Sequence, residues 1–242
     1  MMSIIFGANG TGKSSLMAHF LNQSAFDYER IAEGSAEVEY MNETFGYNIP
    51  IPEHFTYMNG TAVFQRNGYD GRQNLSLDPA RLGIQSEAPE GVKCQFILPY
   101  ATLGIDEAQT WFPSRDGAVQ NYQFSFFEKH RHNNLNIFFS TPRAKMIDLR
   151  IRKLSDAYFI KNRTVHRDES GKISVTWNVD YIPVGNIDLY DDASINERKY
   201  YCENTKIHAD YNVFEIYDPE SCKGKFFEGF SGKDFNFSYG EI

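Results

Sequence analysis

Hydrophobic and polar positions along the chain predict alternating strands and helices first, and mainly strands afterwards. Short apolar runs at residues 3–6 and 135–139 are typical of buried strands. Between residues 13 and 22, apolar side chains recur at three- to four-residue spacing, which indicates a helix with one buried face. The other predicted helices span residues 28–44, 117–132 and 144–157, and the other predicted strands span 55–59, 61–65, 98–105, 158–160, 163–167, 172–181 and 213–217.

This order of elements predicts an α/β fold with a mainly parallel sheet flanked by helices, followed by a β-rich C-terminal extension. No internal repeat, low-complexity tract or Pro/Ser-rich linker marks a firm domain boundary. We expect a core over residues 1–165 and an extension over residues 166–242. The extension either packs on the core or forms one single domain with it.

The composition describes a globular chain with an acidic total charge. Of 242 residues, 41% are hydrophobic and 23% charged, and the formal net charge is −8. That total argues against a protein that coats DNA or a membrane surface, because both need a cationic field. The charge is uneven, however: residues 143–167 hold eight basic and two acidic side chains, which leaves +6 there and −14 elsewhere.

The sequence carries no predicted membrane span, signal peptide or disulfide framework. Two uncharged runs with hydrophobic character, residues 1–12 and 94–105, are each 12 residues long, too short to cross a bilayer. The first run has no basic flank, unlike a secretory signal. Three cysteines without a CxxC pattern (Cys94, Cys202 and Cys222) fit a reducing compartment, so the predicted location is the cytoplasm.

The sharpest local signal is GANGTGKS at residues 7–14, a full G-x-x-x-x-G-K-[ST] pattern between an apolar strand and a helix. Such a loop turns several backbone N–H groups toward one anion at a helix N-terminus. Lys13 can reach the β- and γ-phosphates of ATP, and the Ser14 hydroxyl can bind Mg²⁺. The predicted nucleotide-binding residues are Gly7, Asn9, Gly10, Thr11, Gly12, Lys13, Ser14 and Ser15.

A second signal is the apolar strand that ends at Asp106 and Glu107. In a parallel sheet, this end lies at the same edge as the phosphate-binding loop. There Asp106 can hold Mg²⁺ through water, and Glu107 can orient or deprotonate an attacking water. A solvated acidic turn explains a lone Asp-Glu pair equally simply, but the nearby loop motif favours the functional interpretation. A Glu after the Mg²⁺ Asp favours hydrolysis coupled to motion over a small-molecule kinase.

The stretch IDEAQTWFPSR at residues 105–115 resembles the corresponding region of the zonular occludens toxin-like (Zot) domain, which also forms the ATPase part of filamentous-phage assembly proteins. The resemblance continues through residues 126–132, 136–140 and 147–158 and covers about residues 1–165. It implies an oligomeric, additional-strand (RecA/HerA-like) P-loop ATPase that drives phage DNA extrusion or packaging. By position, Lys13 and Ser14 correspond to Walker A, and Asp106 and Glu107 to Walker B.

Two departures from that family pattern stand out. Many relatives have a Gln after the strand that follows Walker B, as a γ-phosphate sensor, whereas here Ser140 or Thr141 would have to serve. Assembly proteins of this family also continue into a transmembrane helix, and this sequence has no such segment. The sequence therefore leaves open a truncated chain or a soluble relative closer to a packaging ATPase.

The basic segment offers candidate arginine fingers. Arg150 and Arg152 lie on the helix after the sensor strand, and in ring ATPases an arginine from this region can reach a neighbouring subunit's γ-phosphate. With Lys13 and Glu107 they complete the predicted catalytic set, Arg152 being favoured because it lies off the apolar face. A solvated helix face is the plain alternative. The other basic residues can line DNA or balance acidic charge at a subunit interface.

Several function classes remain open at this stage. Expected partners are further copies of the chain, DNA of unknown form, and other phage or host assembly proteins. The competing functions are a nucleotide-switched secretion or partner-binding module with slow turnover and a P-loop phosphotransferase with an acceptor pocket. The aromatic residues of the 111–127 region are expected in the core or an interface. Asp188, Asp191 and Asp192 indicate a solvated turn rather than a Ca²⁺ loop.

Overall fold

The structure of the protein is a computed structural model that describes residues 1–60, 62–64, 71–115, 117–170 and 173–209. Within these ranges the strands are β1 (Met2–Phe6), β2 (Thr56–Met58), β3 (Val63–Phe64), β4 (Arg72–Gln73), β5 (Leu75–Ser76), β6 (Thr102–Ile105), β7 (Asn136–Thr141), β8 (Asp156–Arg167), β9 (Ile173–Ile182) and β10 (Glu203–Ala209). The α-helices in the same ranges are α1 (Lys13–Ala25), α2 (Tyr28–Phe45), α3 (Ala108–Trp111), α4 (Asn121–Glu128), α5 (Leu149–Leu154) and α6 (Ile187–Asp192).

Most of the described strands form one eight-stranded sheet in the order β10-β9-β8-β1-β7-β6-β2-β5. The pairs from β8 to β5 are parallel, whereas β9 and β10 are added antiparallel beside β8. The predicted fold class, a mainly parallel sheet followed by a β-rich part, is confirmed. Strand β7 lies between β1 and β6, which is the additional strand that the family resemblance implied. The domain division at residue 165 stays a prediction.

Two hydrophobic clusters cover the two faces of this sheet. Alternate residues of β1 show the division, because Ile4 belongs to one cluster and Ile5 to the other. The cluster around Ile5 includes the apolar face of α1 and the inward side of β9. The cluster around Ile4 includes residues of α2, α4, α5 and α6. Strands buried on both faces explain why their sequences are continuous apolar runs.

Helix α1 approaches β6 closely at Gly104. A Cβ atom there would lie 2.8 Å from Leu21 Cδ1 and 3.2 Å from Met17 Sδ, so a larger residue would push helix and strand apart. This contact packs the second and third turns of α1 against β6, so that the first turn lies next to the end of β6. The two sequence signals, at residues 7–14 and 106–107, are thereby placed side by side.

Some predicted elements differ from the observed ones. The helix predicted over residues 144–157 is wrong: only α5 is α-helical, residues 144–146 form a 3₁₀ turn, and β8 begins at Asp156. Asp148 caps α5 by accepting a hydrogen bond from the Arg150 N–H at 2.8 Å, and Ser155 is extended. The helix predicted over residues 117–132 shortens to α4: the Gln120 N–H donates to Gln123 Oε1 at 3.1 Å where α4 begins, and residues 129–131 continue as a 3₁₀ turn.

The β-rich part also departs from the sequence prediction. Residues 158–160 and 163–167 belong to one strand, β8, rather than two, and the sequence patterns did not predict β10 or α6. The solvated turn predicted for Asp188, Asp191 and Asp192 is wrong because these residues lie on α6. The strand predicted over residues 213–217 lies outside the described residues. None of the helices in the described ranges has the length and apolar character needed to span a membrane.

Candidate nucleotide-binding site

The loop at residues 7–14 joins the end of β1 to the start of α1. Gly12 is the N-cap of α1 and has φ 87°, a left-handed conformation that favours glycine. No side chain caps this helix, so its first backbone N–H groups are left for another acceptor. A free helix N-terminus formed by a glycine-rich loop is an anion-binding arrangement. Gly7, Asn9, Gly10 and Thr11 lie in the same loop, and Ser15 in the first turn of α1.

Lys13 folds back over the loop that precedes it. Its ammonium group donates to the carbonyl oxygens of Gly7 and Ala8, each at 3.3 Å, and the residue is 7% exposed. The Thr11 hydroxyl donates to the Ala8 carbonyl at 2.8 Å and closes the turn. The positive charge of Lys13 is therefore kept within the loop, where phosphate oxygens are stronger acceptors than the carbonyls it now contacts.

The structure brings Ser14 and Asp106 into contact. The Ser14 hydroxyl lies 2.9 Å from Asp106 Oδ2 and 3.1 Å from Oδ1. Asp106 follows the last residue of β6, so the carboxylate stands at the carboxyl edge of the sheet, as the sequence predicted. One hydroxyl and one carboxylate at this distance fit Mg²⁺, which typically takes one or two protein oxygens, phosphate oxygens and water.

Two further side chains hold Asp106. The Ser140 hydroxyl, at the end of β7, donates to Asp106 Oδ1. Asn59, one residue after β2, binds both backbone groups of Asp106: its Nδ2 donates to the carbonyl at 2.9 Å, and its Oδ1 accepts from the N–H at 2.7 Å. Sequence reasoning missed Asn59. The available signal was a polar residue at the end of a strand predicted over residues 55–59.

Ser140 and Thr141, the two candidate sensor residues, have different surroundings. Ser140 contacts Asp106 and accepts a long hydrogen bond, at 3.4 Å, from the Glu107 N–H. Thr141 instead donates to the carbonyl of Arg143 at 3.2 Å. Of this pair only Ser140 contacts Asp106 and Glu107, so it is the stronger candidate for the γ-phosphate sensor.

Glu107 has a strained backbone at the mouth of the site. Its φ of 51° and ψ of 45° lie in the left-handed region, which costs a residue with a side chain of the order of 1 kcal/mol. The Gln109 side-chain amide donates to its carboxylate, and Glu107 is exposed. Strain of this kind is common where a side chain must point at a ligand rather than into the core.

The two candidate finger arginines are held by their own chain. Arg152 is paired with Asp188 on α6, and its Nε donates to the Ile147 carbonyl at 3.1 Å. Its side chain is only 10% exposed, and burial lowers the pKa of Arg152. This burial differs from the exposed position expected off the apolar face of the predicted helix.

Arg150 is held on the other side of α5. It is paired with Asp148 at 3.1 Å, and this hydrogen-bonded contact raises the pKa of Arg150. Its Nη2 also donates to the Val119 carbonyl at 2.8 Å, and its guanidinium lies 4.7 Å from the centre of the Phe124 ring. The finger role of both arginines stays a prediction.

The aromatic residues near Walker B mostly belong to the core. Phe112, Phe126 and Phe127 are buried, and Phe112 and Phe127 pack edge to face at 5.1 Å. Trp111 differs, since it is 37% exposed on α3. The core interpretation therefore holds for the three phenylalanines.

Comparison with known proteins gives one family match and several structural matches. The model of the zonular occludens toxin (Zot) family matches residues 78–211, more than half of the chain. No curated protein matches the sequence. Among solved structures, the N-terminal domain of zonular occludens toxin from Neisseria meningitidis is 15% identical, with a TM-score of 0.45, over 90% of this chain and 98% of that one.

A second structural match is the genome packaging NTPase B204 from Sulfolobus turreted icosahedral virus 2, solved in complex with ATP-γS. It is 13% identical, with a TM-score of 0.36, over 70% of this chain and 78% of that one.

Proposed function

The chain belongs to the zonular occludens toxin family, and from that premise we propose that it is a Mg²⁺-dependent ATPase of phage morphogenesis. The observation that carries the proposal is that the Asp106 carboxylate contacts both Ser14 and Ser140 beside the glycine-rich loop. Three strands, β1, β6 and β7, deliver these groups to one edge of the sheet. That edge is where nucleotides bind in parallel α/β sheets.

In this proposal the phosphates of ATP bind to the backbone N–H groups of residues 7–15. The Lys13 ammonium leaves the Gly7 and Ala8 carbonyls and binds phosphate oxygens, which carry more negative charge. Ser14 and Asp106 would hold Mg²⁺, which neutralises phosphate charge when bound. Ser140 and Asn59 keep the Asp106 carboxylate and backbone in place.

Glu107 is the proposed base of the reaction. It orients a water for attack on the γ-phosphorus and accepts its proton, while the bond to the β,γ-bridging oxygen breaks and ADP leaves. The left-handed backbone aims its exposed carboxylate away from the core. The hydrogen bond from Gln109 restricts the carboxylate to one orientation.

The biological output that we propose is movement or engagement of DNA during virion assembly, extrusion or genome packaging, by an oligomer of this chain in the host cytoplasm. Membership of the zonular occludens toxin family supports a role in phage assembly. Exposed basic residues of the 143–167 segment, such as Arg143 and Lys153, supply positive charge for a DNA backbone, whereas Lys145 and Lys161 are paired with Asp192 and Asp180. Arg150 and Arg152 would serve as fingers only if oligomer formation released them from Asp148 and Asp188.

The test is the ATPase rate of the full chain with and without single- and double-stranded DNA, on protein whose oligomeric state is measured by ultracentrifugation. Lys13→Ala should lose ATP binding. Glu107→Gln should still bind ATP but hydrolyse it at least about 100-fold more slowly, because only the base is removed. Glu90→Gln, which neutralises an exposed carboxylate outside the site, should behave like the unaltered chain.

Other outcomes would contradict the proposal in distinct ways. Unchanged turnover in Glu107→Gln would remove the base from its role. Phosphate found on a small acceptor would identify a phosphotransferase. ATP-dependent partner capture with negligible turnover would identify a nucleotide-switched binding module. If the oligomer hydrolyses ATP but no DNA stimulates it, the ATPase activity would stand and the proposed role as a DNA motor would be excluded.

A further inference from the structure

Two side chains of the β8–β9 hairpin lie against the start of α1. Arg163 on β8 and Trp177 on β9 face each other across the two strands. A Cβ atom built on Gly12 would lie 3.1 Å from Arg163 Nη1 and 3.1 Å from Trp177 Nε1. The guanidinium and the indole N–H therefore converge on one point at the N-cap of α1, next to Lys13.

A β-bulge places Arg163 in this position. Ile160 pairs with Val179 and Asn162 with Asn178, so Lys161 is the extra residue in β8. In a regular ladder the residue opposite Trp177 would be Asn162. The extra residue shifts the alternation by one and replaces an amide with a guanidinium on the face that α1 covers. Bulges commonly re-aim a side chain in this way beside functional sites.

Trp177 presents an unusual polar group. The residue is fully buried, and its Nε1 has no hydrogen-bond partner among the described residues. Leaving a buried donor without a partner is unfavourable, and most such groups in folded proteins are paired. The ring packs against His19 of α1 at 5.7 Å, which fixes the direction of its N–H. The orphan donor lies at the edge of the apolar cluster beneath α1, 3.1 Å from the Cβ position of Gly12 at the helix N-cap.

The polar groups described here are hydrogen-bond donors, and the Arg163 Cδ methylene packs beside them at 2.9 Å from the same Cβ position. The guanidinium and the indole N–H have no acceptor atoms, and the first N–H groups of α1 are uncapped. A ligand that accepts hydrogen bonds from the Trp177 indole and the start of α1, with the guanidinium beside it, would be an anion with several acceptor oxygens. A guanidinium is suited to phosphate because its fork of N–H groups matches two oxygens at once.

We propose that Arg163 and Trp177 form a second set of phosphate-binding donors, so that the nucleotide is held between the glycine-rich loop and the β8–β9 hairpin. This inference rests on the proposed ATP-binding function and assigns it two residues from the β-rich part of the sheet. The hairpin then belongs to the nucleotide site rather than only extending the sheet. Arg163 supplies charge, and Trp177 supplies a fixed neutral donor.

The test uses Trp177 itself as a reporter. The chain has two tryptophans, so Trp111→Phe leaves Trp177 as the sole one. Titration of this variant with Mg-ATP should produce a saturable change in tryptophan fluorescence, matching the affinity measured by calorimetry. In the same background, Arg163→Gln should raise the Kd for ATP about 10- to 100-fold, the loss expected for a charge-assisted contact. The Kd of Arg163→Lys should fall between the Kd of the Trp111→Phe parent and that of Arg163→Gln.

Arg167→Gln is the matched control, because it removes an exposed arginine farther along β8 and should leave the affinity unchanged. Circular dichroism checks that each variant is folded. If Arg163→Gln does not fold, the affinity of Arg163→Lys is compared with that of Arg167→Gln instead. Binding by Arg163→Gln that equals Arg167→Gln, or a silent Trp177 while calorimetry shows binding, overturns the inference but leaves the ATPase proposal intact. If the parent does not bind ATP, both fail.

Discussion

The arginines of α5 and the arginine of β8 come from one basic segment, but the fold gives them opposite surroundings. Arg150 and Arg152 are held by the acidic residues Asp148 and Asp188 and by backbone carbonyls of their own chain. Arg163 lies instead beside the N-cap of α1, with its Nη1 3.1 Å from the Cβ position of Gly12. Equal charges in one stretch of sequence therefore have unequal surroundings: two arginines pack within the region of α5, and one lies beside the glycine-rich loop.

The difference shows that a run of basic residues in the sequence does not reveal which partner each side chain has in the fold. The sequence favours Arg152 as the arginine finger because it lies off the apolar face of a long predicted helix. That helix is six residues long in the structure, and α6, which carries the partner of Arg152, was not predicted. Position in the fold, rather than position in the run, decides what each arginine can reach.

The largest expected effect is on stability, from Arg152→Met. Losing a mostly buried arginine removes its bond to the Ile147 carbonyl and leaves Asp188 without its ion-pair partner, so the free energy of unfolding should fall by about 2–3 kcal/mol. The lower part of the usual range is expected because the Asp188 side chain is 40% exposed. Urea unfolding measures the change. Arg167→Met, at an exposed position, should alter stability by no more than about 0.5 kcal/mol.

This prediction also tests the finger role. An Arg152→Met chain that keeps its stability but loses hydrolysis only as an oligomer would return Arg152 to the active site. The conclusion that Arg152 serves the packing of α5 rather than the active site would then be wrong.

A second, smaller effect is the pH dependence of stability that comes from His19, whose ring packs against Trp177. Burial lowers the pKa of His19 from 6.5 to about 4, so the folded chain binds fewer protons than the unfolded chain between these values. The contribution is fully present above pH 6.5 and is lost as the pH falls toward 4. Between pH 7 and pH 5, His19 should cost about 2 kcal/mol of stability.

Urea unfolding at pH 7 and pH 5 measures this term. His19→Asn should flatten the pH dependence, whereas His132→Asn, at an exposed position, should not. A pH dependence unchanged by His19→Asn would show that His19 accepts a proton in the folded chain.

The smallest expected effect is from Arg150→Gln. Its side chain is 35% exposed, and its pair with Asp148 lies within one turn, so the loss should be about 1 kcal/mol or less. Asp148 also remains satisfied in part by the Arg150 backbone N–H. A loss as large as that of Arg152→Met would show that the contact with Val119 carries more of the packing of α5 than its exposure suggests.

Local patterns were sufficient for the parts of the site that are contiguous in sequence. The glycine-rich loop of residues 7–14 lies between a strand and a helix, as its spacing predicted. The apolar strand before Asp106 was predicted as well, because periodicity and turn residues report on backbone geometry within a few residues. The contact between Ser14 and Asp106 followed from one general rule, that parallel strands present their carboxyl ends at the same edge.

Other groups at the site depend on pairings that no local pattern records. Asn59 reaches Asp106 because β2 lies beside β6, and Ser140 reaches it because β7 lies between β6 and β1. Choosing Ser140 over Thr141 required their hydrogen-bond partners. The bulge at Lys161, which places Arg163 opposite Trp177, is a one-residue shift in the register between β8 and β9.

The sequence by itself determined the strand–loop–helix of the phosphate-binding motif, the acidic strand end and the α/β class, because each depends on neighbours within one or two turns of chain. Only the tertiary structure decided which arginine meets the motif and which residues hold Asp106. Those choices are made by strand order, register and the burial of one ion pair. They depend on contacts between segments distant in sequence, where the free energy of packing the whole sheet selects one arrangement.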